Sequence, residues 1–158
     1  MSRLSSKAGL ANESATLAER VATLTAGSES LTPEAHGNRL LIINTELTNA
    51  AQTKTLPKTT GSGDEYEIVV NAVLTQDLVV AALGADILSG TAFVRSETAT
   101  GTDVFHTTAT DDKYTFNNTT TGGLRGDRVK LVDIAAGTWL VYIEANGSGT
   151  LATGFAAT

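Results

Sequence analysis

From residue 60 onward, turn-forming residues interrupt the chain about every ten positions. They are Thr60-Gly61-Ser62-Gly63, Gly84, Gly90, Gly101, Asp111-Asp112, Gly122-Gly123, Gly137 and Gly147. That spacing admits short strands and leaves little room for helices of ordinary length. The intervening segments carry the matching pattern. In Glu65-Tyr66-Glu67-Ile68-Val69-Val70, Tyr66, Ile68 and Val70 fall on one face and the two glutamates on the other. In Asp127–Val132, charged and apolar residues alternate. Thr138–Glu144 follows a turn at Ala135-Ala136-Gly137, with Trp139, Val141 and Ile143 on one face and Leu140 and Tyr142 on the other.

Further strands are expected at 39–44, 87–94, 104–108, 113–117 and 150–155. The 39–44 run is apolar throughout, as in a strand buried on both faces. Residues 78–83 read as a strand or one short helical turn. No βαβ alternation and no fixed repeat is visible. Both prolines, Pro33 and Pro57, avoid strand centres. The expectation is an all-β fold, a small antiparallel β-sandwich or jelly-roll-like domain spanning 27–158.

Residues 1–26 differ. They are rich in Ala, Ser and Leu, without aromatics, and read as an N-terminal arm or short helix. Leu17, Val21 and Leu24 recur at i, i+4 and i+7, which fits a helix from Ser14 to about Leu24 capped by Asn12 or Ser14. Such a narrow stripe needs a surface to lie on. An extended arm around Val21–Thr25 is the rival reading. Leu4, Leu10, Leu17, Val21 and Leu24 are the interface candidates here. Trp139 and Tyr142 are the candidates in the β-domain. Lying on opposite faces of one strand, one anchors the core and the other a subunit interface, unless both are core.

Composition narrows the chemistry. With no Cys there is no disulfide framework, thiolate metal site or cysteine nucleophile. No apolar run approaches the ~18 residues of a membrane helix, and 1–26 lacks the apolar stretch of a secretory signal. A net charge of −6 argues against nucleic acid. His36 and His106 are isolated, which makes them poor metal ligands. Asp111-Asp112 lacks calcium-loop spacing, although Asp103 and Asp112 remain a conceivable pair. Gly61-Ser62-Gly63 is not followed by the Gly-Lys-Ser/Thr of a phosphate loop, and no Gly-x-Ser-x-Gly elbow occurs. Arg125-Gly126-Asp127 spells an adhesion tripeptide but reads as a turn leading into a strand. The expectation is therefore a protein that is not an enzyme and uses no cofactor or metal. In it, 26 Thr, 22 Ala and 15 Gly fill 63 of 158 positions and serve packing.

Three segments carry a resemblance: LTPEAHGNRLLIIN, LPKTTGSGDEYEIVV and GGLRGDRVKLVDIAAGTWLVYIEANGSGTLATGFAAT. They resemble a family of tailed-phage structural proteins, the capsid decoration, cement and minor virion proteins. The resemblance implies a virion protein on the outer surface of a capsid, bound to the major capsid protein and assembled as a homotrimer. Its implied role is to staple neighbouring capsomers and stabilise the shell. The alternative is a head-fibre or tail-associated β-domain that grips host surface glycans.

Overall fold

The computed structural model describes residues 20–46, 50–98 and 100–158. Among them are twelve strands and one short helix. The strands are β1 (Val21–Leu24), β2 (Glu29–Ser30), β3 (Arg39–Ile43), β4 (Gln52–Thr55), β5 (Glu65–Val70) and β6 (Leu78–Ala81). They continue with β7 (Ile87–Ser96), β8 (Thr102–His106), β9 (Lys113–Phe116), β10 (Arg128–Ala135), β11 (Thr138–Gly147) and β12 (Phe155–Ala156). The helix, α1 (Pro33–His36), lies between β2 and β3. Thr32 caps it by accepting from the Ala35 N–H, and His36 Nδ1 accepts from the Thr32 N–H at 3.0 Å.

The fold is all-β, with two sheets packed face to face. One sheet has seven strands in the order β1-β3-β5-β10-β11-β7-β8, the other five in the order β12-β9-β6-β4-β2. Both are mixed. The expected antiparallel pairing gives way in the first half to a coil in which successive strands alternate between sheets. β1, β3 and β5 pair in parallel in one sheet, and β2, β4 and β6 pair in parallel in the other. Parallel neighbours need a crossover, and here the crossover is a strand of the opposite layer. The second half returns to hairpins, β7–β8 and β10–β11, and β11 lies parallel to β7 from Thr138↔Ile87 to Gly147↔Ser96.

Alternation fills the core. Leu41 and Ile43 of β3, Tyr66, Ile68 and Val70 of β5, and Trp139, Val141 and Ile143 of β11 all point inward. They meet Leu78, Val80, Tyr114, Phe116 and Phe155 of the smaller sheet. Tyr66 and Trp139 make an edge-to-face pair at 5.4 Å. At Gly90, any added Cβ would collide with the Val141 carbonyl oxygen, so glycine lets β7 and β11 approach.

Several expectations are corrected. Val21–Leu24 is a strand paired with β3, so the helix read over 14–24 does not extend through these residues. Leu24 is buried in the core, which ties part of 1–26 to the sandwich. Leu40 and Ile42 are only half-buried, so β3 is not fully covered on both faces. The terminal strand contracts to Phe155–Ala156.

Two strands were not expected: β2, which is only two residues long, and β4, whose inward positions are polar. Lys54 is fully buried. Its Nζ donates to the Thr25 and Gly27 carbonyls, each at 2.7 Å, and to Glu29 Oε1 at 2.8 Å. Burial alone raises the Glu29 carboxyl, but Lys54 and Thr25 outweigh it and hold it below its ordinary value. Gln52 is equally buried, yet neither its Oε1 nor its Nε2 has a hydrogen-bond partner.

The two positions predict opposite outcomes. Lys54→Met strands two carbonyls and a carboxylate and should cost about 3 kcal/mol. Gln52→Leu removes unsatisfied polar atoms and should stabilise by about 1 kcal/mol. Urea unfolding followed by Trp139 fluorescence measures both.

Candidate interaction surface

Strand alternation sends half of each strand's side chains to the outside. On the seven-stranded sheet, cross-strand register sets Leu40, Glu67, Lys130, Tyr142 and Thr91 side by side in one row. Ile42, Val69, Arg128, Glu144, Phe93 and Val104 form the next row. Val132 and Leu140 are opposed in a third. Leu140, Tyr142 and Val104 are 45%, 43% and 46% exposed, which is high for large apolar side chains. Phe93 and Tyr142 lean on each other with ring centroids 5.3 Å apart.

Charges cross this face as a ladder. Lys130 and Arg128 reach Glu67 at 3.9 and 3.6 Å, and Arg128 and Arg95 reach Glu144 at 3.7 and 3.8 Å. Solvent-exposed pairs of this kind contribute little stability. Their effect is to neutralise the face internally. The five-stranded sheet differs. Its outward positions are Thr53, Thr55, Val79, Ala81 and Thr115, with Lys113 the one long side chain among those of β4, β6 and β9. Beside Arg20, where β1 begins, a cleft of about 490 Å³ is lined by Asn38, Leu40, Glu65 and Glu67 among others.

The structure separates the residues singled out from sequence. Trp139 is core at 1% exposure and Tyr142 is on the surface, so the first of the two readings holds for their burial. Val21 is exposed at the sheet edge and Leu24 is buried. Leu4, Leu10 and Leu17 lie outside the described residues. His36 serves α1, and His106 Nδ1 sits 3.2 Å from Thr91 Oγ1. No group of three or more His, Cys, Asp or Glu among the described residues is arranged to hold a metal ion. Among them, no helix is long and apolar enough to cross a membrane.

Buried carboxylates hold the loops at the rims of the sandwich. Asp133 Oδ2 accepts from the Thr60 and Ser62 N–H and hydroxyl groups, and its Oδ1 accepts from the Gly61 N–H at 2.8 Å. The Thr60-Gly61-Ser62 turn is therefore an anion nest filled by the chain's own side chain. Gly61 has φ +79°, the left-handed backbone this turn needs. Asp86 accepts from the Thr59 N–H and hydroxyl and pairs with Lys58. Asp127 accepts from the Gly123 and Leu124 N–H groups and from Asn146. Asp127 is fully buried, so the adhesion tripeptide is a structural turn whose carboxylate faces inward. Sequence reading placed Asp127 in a turn but missed the anchoring roles of all three aspartates; Asp86 and Asp127 sit close to Gly84 and Gly122-Gly123, a readable signal, whereas Asp133 is 73 residues from Thr60 in the turn it holds.

No protein-family model, no curated protein and no solved structure matches the chain. What the fold defines on its own is an all-β sandwich with pinned rims and one outward sheet face rich in apolar side chains.

These carboxylates make stability acid-sensitive. Burial alone would raise the Asp133 carboxyl, but the Thr60, Gly61 and Ser62 donors outweigh it and bring it down from 3.8 to about 2. A depressed folded value contributes stability above the ordinary carboxyl range, and that contribution is lost as pH falls toward 2. Asp127 runs the other way, since burial pushes its carboxyl up despite its donors. Between pH 5 and pH 2 the Asp133 contribution should fall by about 2 kcal/mol. Asp133→Asn should remove that share of the pH dependence in unfolding curves taken across this range.

Proposed function

We propose that this protein is a structural virion component that binds the outside of a phage capsid and staples neighbouring capsomers. The observation that carries the reading is a loop-pinned sandwich with an exposed apolar sheet face. That is a rigid body built to be held by other proteins. The three segments that resemble tailed-phage decoration and cement proteins support the same reading. Residues 1–19, which carry Leu4, Leu10 and Leu17, are the proposed capsid-contacting segment. Self-assembly into a homotrimer would present three such segments to the shell. Each contact can then be weak, because linkage raises avidity by ~10²–10⁴-fold.

Cosedimentation with expanded capsids that lack the protein tests this. Wild-type protein should bind and should raise the temperature at which the shells disrupt. Removal of residues 1–19 stops short of β1 and should leave the melting temperature within a few degrees of wild type while abolishing binding. Full capsid binding by the truncated protein would sink the proposal for that segment. Absence of binding by the intact protein would sink the capsid reading itself.

A further inference from the structure

We infer that α1 is a strap that acid releases: the neutral ring of His36 closes its first turn, and protonation of that ring opens it. A backbone N–H can only donate. The Thr32 N–H lies 3.0 Å from His36 Nδ1, so Nδ1 is the bare, accepting nitrogen and the ring proton sits on Nε2. A protonated imidazole carries a hydrogen on both nitrogens and accepts nothing. Charging the ring therefore sets two donors against each other across this contact. The other half of the cap, from the Ala35 N–H to Thr32 Oγ1, is the longer bond at 3.3 Å.

The second histidine lacks this sensitivity. His106 Nδ1 meets the Thr91 hydroxyl at 3.2 Å, and a hydroxyl donates or accepts as the ring requires. The Thr32 N–H has no such freedom.

The strap is fixed at both ends. On one side Leu31 is buried, and its N–H donates to the Thr55 carbonyl. On the other, the Asn38 N–H donates to the Glu65 carbonyl, its Nδ2 donates to Asp64 Oδ1, and its Oδ1 accepts from the Glu65 N–H. Between these anchors no residue of α1 is buried. The cap and two backbone bonds, His36 N–H to Thr32 and Gly37 N–H to Pro33, hold the turn. A single turn has little stability of its own. The strap runs up to the cleft beside Arg20, which Asn38 and Arg39 line.

The charged groups around α1 are Glu34 on the helix, Arg39 at the head of β3, and Asp64 and Glu65, which Asn38 reaches. Carboxylates and guanidinium groups ordinarily keep their charge between pH 7.5 and pH 5.5, whereas imidazole titrates there. The cap is therefore whole at the upper pH and is lost as pH falls through the imidazole range.

NMR of the full chain labelled with nitrogen-15 tests this. At pH 7.5 a scalar coupling should cross the hydrogen bond from the Thr32 amide nitrogen to His36 Nδ1, and Nε2 should carry the ring proton. At pH 5.5 the coupling should vanish. Protection of the Thr32, Ala35 and His36 amides, corrected for intrinsic exchange, should fall roughly three- to tenfold, with Leu31 and Asn38 unchanged. In His36→Asn, Oδ1 takes the place of Nδ1 and does not titrate, so protection should be equal at the two pH values. A ring proton on Nδ1 at pH 7.5, or equal protection of wild-type α1 at both pH values, overturns the proposal. So does a fall that His36→Asn retains, since it then comes from other groups.

Discussion

Every passage of the chain from one sheet to the other brings backbone polar groups to the rim of an apolar core, where they must find partners. The first half makes that passage repeatedly, since β1 to β6 alternate between layers. Buried or partly buried charges meet the demand. Lys54 collects the carbonyls of the β1–β2 crossing, and Glu46 accepts from the Thr75 and Gln76 N–H groups before β6. Asp86 and Asp133 accept from the β4–β5 crossing. A buried group that is fully hydrogen-bonded fixes geometry, whereas one that loses its partners carries its whole desolvation cost. The coil therefore depends on a few residues whose chemistry is opposite to that of the core around them.

This explains what could and could not be read from sequence. β5 and β11 were legible because each keeps strict alternation with one apolar face. The same alternation placed Trp139 and Tyr142 on opposite sides. β4 was not legible, since Gln52 and Lys54 occupy its inward positions and hide the period-two signal. Topology was not legible either. A glycine-rich turn that closes a hairpin and one that crosses between sheets have the same composition, and Thr60-Gly61-Ser62-Gly63 is of the second kind. Its true partner, Asp133, lies more than seventy residues away. The ladder of Glu67, Arg128, Glu144 and Arg95 likewise exists only through register.

The two outer faces also divide the work of the sandwich. Small side chains such as Thr and Ala cover the smaller sheet, and a surface of that kind offers little apolar area to a partner. The larger sheet carries branched residues across its outer face and its two outward aromatics, Phe93 and Tyr142, on β7 and β11. The two outer sheet faces of this acidic domain therefore differ in apolar character.

The position of Lys54 has a mechanical consequence. Strand β1 runs alongside β3 in parallel for four residue pairs, Val21↔Leu40 to Leu24↔Ile43. Tension applied through the preceding segment pulls β1 along its own axis, so its ladder is loaded in shear rather than peeled bond by bond. Immediately behind that ladder, the Lys54 ammonium grips the next stretch of backbone at Thr25 and Gly27. Load arriving through the segment before β1 thus passes through an edge strand of one sheet into β4 of the opposite sheet within a few residues.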